Sequence, residues 1–159
     1  MKEGFLIEAM LVMAMKVSEA SSCDRAAHGC VLTDLELQVL SYGYNGPPRG
    51  VGNKCLRPKE PGKCGCVHAE SNAVAKAGGW GVKKIAFITG TPCELCAGLL
   101  LNTNVVCVIT AAKAHRDYPE GIEQLERAGV KIFNYQELKR PEALHQIVRQ
   151  KRHRVGIRN

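Results

Sequence analysis

The amino-acid sequence predicts an α/β protein, with a mixed five-stranded sheet that carries helices on both faces. Two observations lead to this prediction. Between residues 84 and 134, short apolar segments typical of strands alternate with helical segments, which indicates parallel strands joined by right-handed crossovers. Earlier in the chain, two strand-like segments at 29–34 and 37–42 are separated by a short turn, which predicts an antiparallel hairpin.

Each predicted element has a local signal. A wide apolar pattern over residues 4–20 indicates a first helix that packs on the sheet. A second helix over 67–77 is ended by Gly78 and Gly79. The next elements are predicted as strand, helix, strand, helix and strand, over 84–90, 93–102, 105–110, 120–128 and 130–134. We expect one domain over residues 1–140, and a C-terminal helix and basic tail over residues 141–159.

The composition is that of an ordinary globular protein, since 45% of the 159 residues are hydrophobic and 23% are charged. The formal net charge of +7 is compatible with an anionic partner, such as a nucleotide or a polynucleotide, or with no specific partner. The apolar run over 5–17 imitates a leader peptide, but Glu8 interrupts it and it is too short to span a membrane. We therefore expect a cytoplasmic protein whose eight cysteines are reduced and partly metal-bound.

Two short motifs carry the chemistry of the chain. The first is His68-Ala69-Glu70, and the second is Pro92-Cys93-Glu94-Leu95-Cys96. Together they form the pair H-x-E and P-C-x-x-C, the known signature of zinc-dependent nucleobase deaminases. Cys93 and Cys96 lie one turn apart at the start of a predicted helix, where both can reach one ion and where the helix dipole favours thiolate.

Three protein ligands, His68, Cys93 and Cys96, leave the fourth position of a tetrahedral Zn²⁺ site for water, which is the catalytic arrangement. Zinc-bound hydroxide is then the expected nucleophile. Glu70 is not needed as a ligand, so we expect it to shuttle protons between the water, a ring nitrogen and the departing amine. The alternative is a closed structural zinc site with a fourth protein ligand, which leaves the H-x-E motif unexplained.

Several segments together resemble the deoxycytidylate (dCMP) deaminases. They are Ser21-x-Cys23-x-Arg25, the GYNGPPRG loop at 43–50, HAESNA at 68–73, and Pro92-Cys93-x-x-Cys96-Ala97. The resemblance covers about residues 5–135 and implies a three-layer α/β/α cytidine-deaminase-like fold. It implies hydrolysis of dCMP to dUMP and ammonia, which supplies dUMP for dTMP synthesis. It also implies a homo-oligomer, with a hexamer favoured, and regulation by dCTP and dTTP.

The resemblance also implies roles for individual residues. The zinc ligands are His68, Cys93 and Cys96, and the proton shuttle is Glu70. The implied substrate-binding residues are Asn45, Ala69 through its backbone N–H, Asn72 and Thr91. The implied phosphate or effector contacts are Arg25, Arg49, His115 and Arg116. Each role has an alternative. Asn45 could serve only as a turn residue and Asn72 only as a structural residue. The four charged or basic residues could be solvated surface groups.

A second group of cysteines comprises Cys23, Cys55, Cys64 and Cys66. In some phage members of the family, cysteines at the positions of Cys23 and Cys55 help to hold a second, structural zinc, so the resemblance implies such a site here. A Gly- and Pro-rich loop with few apolar residues gains order from a bound metal. Four free thiols are the alternative. Cys30 and Cys107 lie in predicted strands and are expected to be core residues.

The sequence departs from the family in two places. His28-Gly29-Cys30 stands where the family has Val-Gly-Ala, and residues 111–118 stand where the family often has an aromatic-rich stretch. A 5-modified dCMP therefore remains open as the substrate. A nucleic-acid deaminase, acting on tRNA adenosine or on single-stranded cytosine, is favoured by the basic tail and opposed by the 5% aromatic content. A non-catalytic zinc-binding module is the third interpretation.

Overall fold

The computed structural model of the chain describes residues 2–60, 63–111 and 119–135. Its helices are α1 (Lys2–Ser18), α2 (Ala69–Ala77), α3 (Glu94–Asn102) and α4 (Pro119–Arg127). Its strands are β1 (Gly29–Thr33), β2 (Val39–Tyr44), β3 (Lys84–Ile88), β4 (Val105–Thr110) and β5 (Lys131–Asn134). The predicted helix at 141–150, the basic tail, His115 and Arg116 lie outside the described residues.

The five strands form one mixed sheet in the order β2-β1-β3-β4-β5. Strand β1 pairs antiparallel with both β2 and β3, whereas β3, β4 and β5 are parallel. The predicted hairpin and the predicted parallel half of the sheet are both confirmed. Strand β2 begins two residues later than predicted, because Leu37 adopts a φ of 64° and Asp34 Oδ1 accepts the backbone N–H groups of Glu36 and Gln38. The turn therefore includes residues that the apolar pattern assigned to the strand.

Helices cover both faces of the sheet. Helix α1 buries Ile7, Leu11 and Ala14 against one face, in a cluster with Val31 and Phe87. Helices α2, α3 and α4 cover the opposite face, where their buried residues form a second cluster with Leu32, Ala86 and Val108. The three-layer α/β/α prediction is confirmed. Cys30 and Cys107 are buried in these two clusters, as expected for core residues.

Lys84 is fully buried at the start of β3. Its ammonium group donates to the carbonyl oxygens of Gly79 at 2.7 Å, Val82 at 2.9 Å and Thr103 at 3.0 Å. These three acceptors satisfy a group whose burial is otherwise costly. Burial lowers the pKa of Lys84 from its ordinary value of 10.5. The side chain therefore joins the loop that precedes β3 to the loop that precedes β4.

The described helices are all unsuited to crossing a membrane. Within residues 2–60, 63–111 and 119–135, no helix has both the length and the apolar character that a span requires.

Candidate active site

The two sequence motifs meet at the amino-terminal ends of α2 and α3. His68 and Cys93 are the residues that immediately precede the two helices, with extended backbone angles. Glu70 lies in the first turn of α2, and Cys96 lies in the first turn of α3. Both helices pack on the same face of the sheet, so their first turns come together. Strand β3 lies between the two motifs in the sequence. In the fold, this connection brings the starts of the two helices close together.

The three predicted ligands are within reach of one ion. The Nδ1 atom of His68 lies 3.5 Å from the Sγ atom of Cys93 and 3.4 Å from the Sγ atom of Cys96. A tetrahedral zinc site with bond lengths of about 2.0–2.3 Å has an N···S edge of roughly 3.6 Å. The ligand atoms of all three residues lie within 4.8 Å of one another, and Glu70 is not part of this group. The residues present therefore fit a zinc ion with three protein ligands.

The electrostatics of the group also favour a cation. Hydrogen bonds from Cys96 and His68 lower the pKa of Cys93 to about 4, so that Cys93 is a thiolate at neutral pH. In turn, Cys93 raises the pKa of His68, and Cys93 together with burial raises the pKa of Cys96. The metal-free group thus holds protons that a bound divalent cation would displace, which makes metal affinity depend on pH.

Glu70 is buried beside these ligands, with 5% of its surface exposed. Burial raises the pKa of its carboxyl group from the ordinary value of 4.5, and the neighbouring His68 opposes this shift. A carboxyl group whose pKa moves towards neutrality is suited to accept a proton in one step and to return it in the next.

Glu70 and His68 line a cavity of about 230 Å³. The wall also contains four residues that the sequence assigned to substrate or phosphate, namely Arg25, Asn45, Ala69 and Thr91. The Thr91 hydroxyl oxygen is buried and has no hydrogen-bond partner among the described residues. A buried hydroxyl at the wall of a cavity is suited to a polar group of a ligand.

Comparison with known proteins identifies the family. Residues 6–112, which include both motifs, match the family described as the cytidine and deoxycytidylate deaminase zinc-binding region. The chain belongs to this family. The deoxycytidylate deaminase of Schizosaccharomyces pombe is 30% identical over 136 residues, which is 77% of this chain and 42% of that protein. The chain therefore spans less than half the length of the curated relatives it matches first.

Solved structures support the same family fold. The dCMP deaminase of cyanophage S-TIM5 in apo form is 28% identical, with a TM-score of 0.66 over 80% of this chain and 95% of that one. The same phage enzyme in complex with dCMP and dUMP is 26% identical, with a TM-score of 0.67 over 80% and 94% of the two chains. The cytidine-deaminase-like fold that the sequence predicts is confirmed.

Two of the predicted substrate residues already have backbone partners. The side chain of Asn45 accepts the N–H of His28 at 2.7 Å and donates to the carbonyl of Ala26 at 2.7 Å. Asn45 thus fixes the segment that forms one wall of the cavity. Asn72 does not line the cavity, and its amide donates to the carbonyl of Tyr44 at 2.8 Å. Arg49 is exposed and is also absent from the lining. The substrate contacts of these residues stay predictions.

The second group of cysteines also comes together. The Sγ atom of Cys55 lies 3.3 Å from that of Cys66 and 3.6 Å from that of Cys23. With Cys64, the four sulfur atoms lie within 4.8 Å of one another. A tetrahedral zinc–thiolate site has S···S edges of roughly 3.8 Å, so this cysteine cluster fits a metal ion of the closed, structural type.

The cysteine cluster adjoins the candidate catalytic centre. Cys23, Cys64 and Cys66 line the same cavity as Glu70. Along the chain, Val67 alone separates Cys66 from His68. Val67 is held by Gly46, to which it donates at 2.8 Å and from which it accepts at 3.1 Å. The two candidate metal sites are therefore joined through one fixed residue.

Sequence reasoning missed two glycines that allow the close approach of neighbouring elements. A Cβ atom on Gly43 would lie 2.2 Å from the carbonyl oxygen of Ala69, and a Cβ atom on Gly121 would lie 2.1 Å from that of Pro92. Glycine at these positions lets the start of α2 rest on β2 and lets α4 rest on the segment before Cys93. The sequence placed Gly43 at the start of a loop, whereas in the structure it lies inside strand β2, where a glycine marks a close approach of another backbone.

Proposed function

We propose that the protein catalyses the hydrolytic deamination of dCMP to dUMP and ammonia. The observation that carries this proposal is that Glu70 lines one cavity together with His68, which belongs to the metal group completed by Cys93 and Cys96. Family membership supports deamination of a cytidine-type base. The choice of dCMP is supported by the S-TIM5 enzyme, which has been determined with dCMP and dUMP.

In this mechanism, His68, Cys93 and Cys96 would hold the zinc ion. The ion would lower the pKa of a water molecule to about 7 and so provide hydroxide at neutral pH. Glu70 accepts the proton that this water gives up and delivers it to N3 of the pyrimidine. The hydroxyl oxygen adds to C4. Glu70, now a carboxylate again, takes the proton of this C4 hydroxyl group and transfers it to N4, and the C4–N4 bond breaks as the C4–O bond becomes a carbonyl. The products are the 4-oxo pyrimidine and ammonia, so atoms and charge balance.

Other residues of the cavity are proposed to orient the nucleotide. Ala69 is the first residue of α2, where backbone N–H groups lack an intrahelical acceptor, and its N–H is assigned to the pyrimidine carbonyl. Thr91 offers a buried hydroxyl. Arg25 donates through Nη1 to the carbonyl of Glu60 at 3.3 Å, and its remaining N–H groups are assigned to the 5′-phosphate. Arg49, His115 and Arg116 are retained as effector or phosphate contacts.

We also propose that the cysteine cluster binds a structural zinc. The support is the sulfur geometry together with the composition of the segment 43–66, which contains six glycines and four prolines and few apolar residues. Burial opposes the ionisation of Cys23, but the backbone N–H groups of Ala26 and Arg25 lower its pKa to about 7. A thiol that ionises near neutral pH is suited to metal binding.

The proposed reaction is tested with purified, zinc-containing protein by following the conversion of dCMP to dUMP. Deoxycytidine, CMP, 5-methyl-dCMP and a cytosine-containing single-stranded DNA serve as parallel substrates. We expect turnover of dCMP and no turnover of deoxycytidine, because the nucleoside lacks the phosphate assigned to Arg25. Turnover of the DNA alone would favour the nucleic-acid interpretation. No turnover of any of these compounds by zinc-loaded protein would refute the proposal.

The biological setting follows from the proposed reaction. We propose a cytoplasmic enzyme that supplies dUMP for dTMP synthesis, assembles as a homohexamer, and is activated by dCTP with Mg²⁺ and inhibited by dTTP. The support is the resemblance to dCMP deaminases. Light scattering at several protein concentrations measures the assembly state. Rates at subsaturating dCMP, with and without each triphosphate, measure the regulation.

A further inference from the structure

The cavity offers few flat surfaces for a nucleobase. Among the described residues, its lining contains no Phe, Tyr or Trp, and its two aromatic rings are the imidazoles of His68 and His28. The ring of His68 is committed to the metal group through Nδ1. His28 is therefore the one aromatic ring of the described lining that the proposed mechanism leaves without a role.

The backbone of His28 is fixed in place. Its N–H donates to Asn45 Oδ1 at 2.7 Å, and its carbonyl accepts the N–H of Asn45 at 3.2 Å. The next residue, Gly29, donates to the Thr89 hydroxyl at 3.0 Å and accepts the Thr89 N–H at 3.0 Å. The His28 residue nevertheless remains exposed at the rim of the cavity. A cavity-lining side chain on a fixed backbone is preorganised for a ligand.

The ring itself lies against the segment that leads to the metal ligands. Its Nδ1 atom is 3.5 Å from the Thr89 hydroxyl oxygen. A Cβ atom on Gly90 would lie 3.0 Å from both Nδ1 and Cε1 of His28. Glycine at position 90 therefore leaves the space that the ring occupies. Cys93 follows Gly90 by three residues, so the ring contacts the segment that leads into the metal group.

We infer that the imidazole ring of His28 is the aromatic surface on which the pyrimidine of the substrate packs, and that it determines the affinity for the nucleotide. This inference rests on the proposed function. Histidine is among the side chains on which unstacked bases pack in protein complexes. Loss of a base–aromatic contact of this kind weakens binding by roughly 5- to 150-fold.

The test measures binding of dUMP to the zinc-loaded protein by calorimetry, since the product binds without turnover, and KM and kcat for dCMP. We expect His28→Ala to raise the Kd of dUMP and the KM of dCMP by about tenfold and to change kcat less. His28→Phe keeps a ring and should stay within about threefold of the wild type. His28→Gln keeps a polar group without a ring and should be as weak as His28→Ala. A Kd within twofold for His28→Ala, or rescue by Gln instead of Phe, would overturn the inference.

A second variant tests the same contact from the other side. Gly90→Ala should displace the ring and weaken dUMP binding in the wild-type background, but should have little further effect in His28→Ala. Gly81→Ala is the matched control, because a Cβ atom there meets no atom within 4 Å. Equal effects of Gly90→Ala in both backgrounds would contradict the contact.

Zinc content and unfolding temperature show that each variant is folded. A wild-type protein that turns over dCMP while all His28 variants bind normally would overturn the inference and leave the proposed function standing. A wild-type protein that neither binds dUMP nor turns over dCMP would overturn both.

Discussion

Replacing Glu70 by glutamine tests the proton shuttle most directly. The two side chains have nearly the same size, but the amide cannot accept and return a proton at neutral pH. Glu70 lies outside the group of metal ligands, so Glu70→Gln should keep its zinc. The variant therefore separates proton transfer from metal binding.

The magnitude of the effect follows from the number of transfers. General acid–base catalysis by one side chain contributes about 10²- to 10⁴-fold. Because Glu70 is assigned both the acceptance and the return of protons, we expect kcat to fall towards the upper end, by about 10³- to 10⁴-fold. At about 1.36 kcal/mol per factor of ten, this loss corresponds to roughly 4–5.5 kcal/mol in the activation barrier.

Stability gives a second readout for Glu70→Gln. Burial raises the pKa of Glu70 above 4.5, so the folded protein loses stability as pH rises from 4.5 through the folded-state pKa. Glutamine does not ionise, so the variant does not lose stability in this way as the pH rises. The metal-free variant at pH 8 should therefore unfold at a temperature no lower than that of the metal-free wild type.

The assay combines steady-state kinetics on dCMP with zinc analysis by mass spectrometry and thermal unfolding. The matched control is Glu94→Gln, because Glu94 also lies in the first turn of a helix but is exposed. We expect the control to retain wild-type kcat within about twofold. A Glu70→Gln enzyme with full zinc and a kcat within tenfold of the wild type would refute the shuttle. A fall in kcat that is fully explained by a fall in the zinc content of Glu70→Gln would also refute the assignment of Glu70 as a proton shuttle that is separate from the metal ligands.

Three further changes probe the metal sites and the core. Cys93→Ala should remove the catalytic zinc and abolish turnover, and a full zinc complement by mass spectrometry would contradict the ligand assignment. Cys55→Ser should lower zinc content and unfolding temperature while kcat per catalytic zinc stays within a few-fold; unchanged zinc stoichiometry would exclude the second site. Lys84→Met leaves the buried carbonyl of Thr103 without its donor, at about 1–3 kcal/mol, and removes the donor from the partly buried carbonyls of Gly79 and Val82 at a smaller cost, so urea unfolding should show a loss of roughly 2–4 kcal/mol. The pKa of Lys84 is lower in the folded protein than its ordinary value of 10.5, so the unfolded chain binds more protons between these two values. The Lys84 side chain should therefore make the wild-type free energy of unfolding rise with pH across this window. This contribution should be absent in Lys84→Met.

Much of the architecture follows from local pattern. Alternation of strands and helices predicted the parallel half of the sheet, and the spacing of His68, Cys93 and Cys96 predicted that they would meet. This worked because each ligand lies at the start of a helix that follows or precedes the same strand, β3. Local sequence therefore fixes both the ligands and the edge at which they converge.

Contacts between distant segments could not be predicted in the same way. The predicted strand begins at Lys84, but no local signal marks this lysine as buried, because its acceptors come from residues 79, 82 and 103. The amide of Asn45 holds the backbone at residues 26 and 28, and no local signal announces this. The position of the His28 ring depends on Gly90, which lies 62 positions later in the chain. Each of these contacts requires the folded topology.

The single residue between Cys66 and His68 has a thermodynamic consequence. Val67 both donates to and accepts from Gly46, so an ion at the proposed cysteine-cluster site that orders Cys66 should also order the backbone of His68. The two proposed metal equilibria would then be linked, and because linkage is reciprocal, each ion would raise the affinity for the other by the same factor. A chelator titration should accordingly remove the two ions with positive cooperativity, and metal supply should switch the enzyme over a narrower range of concentration than one independent site allows.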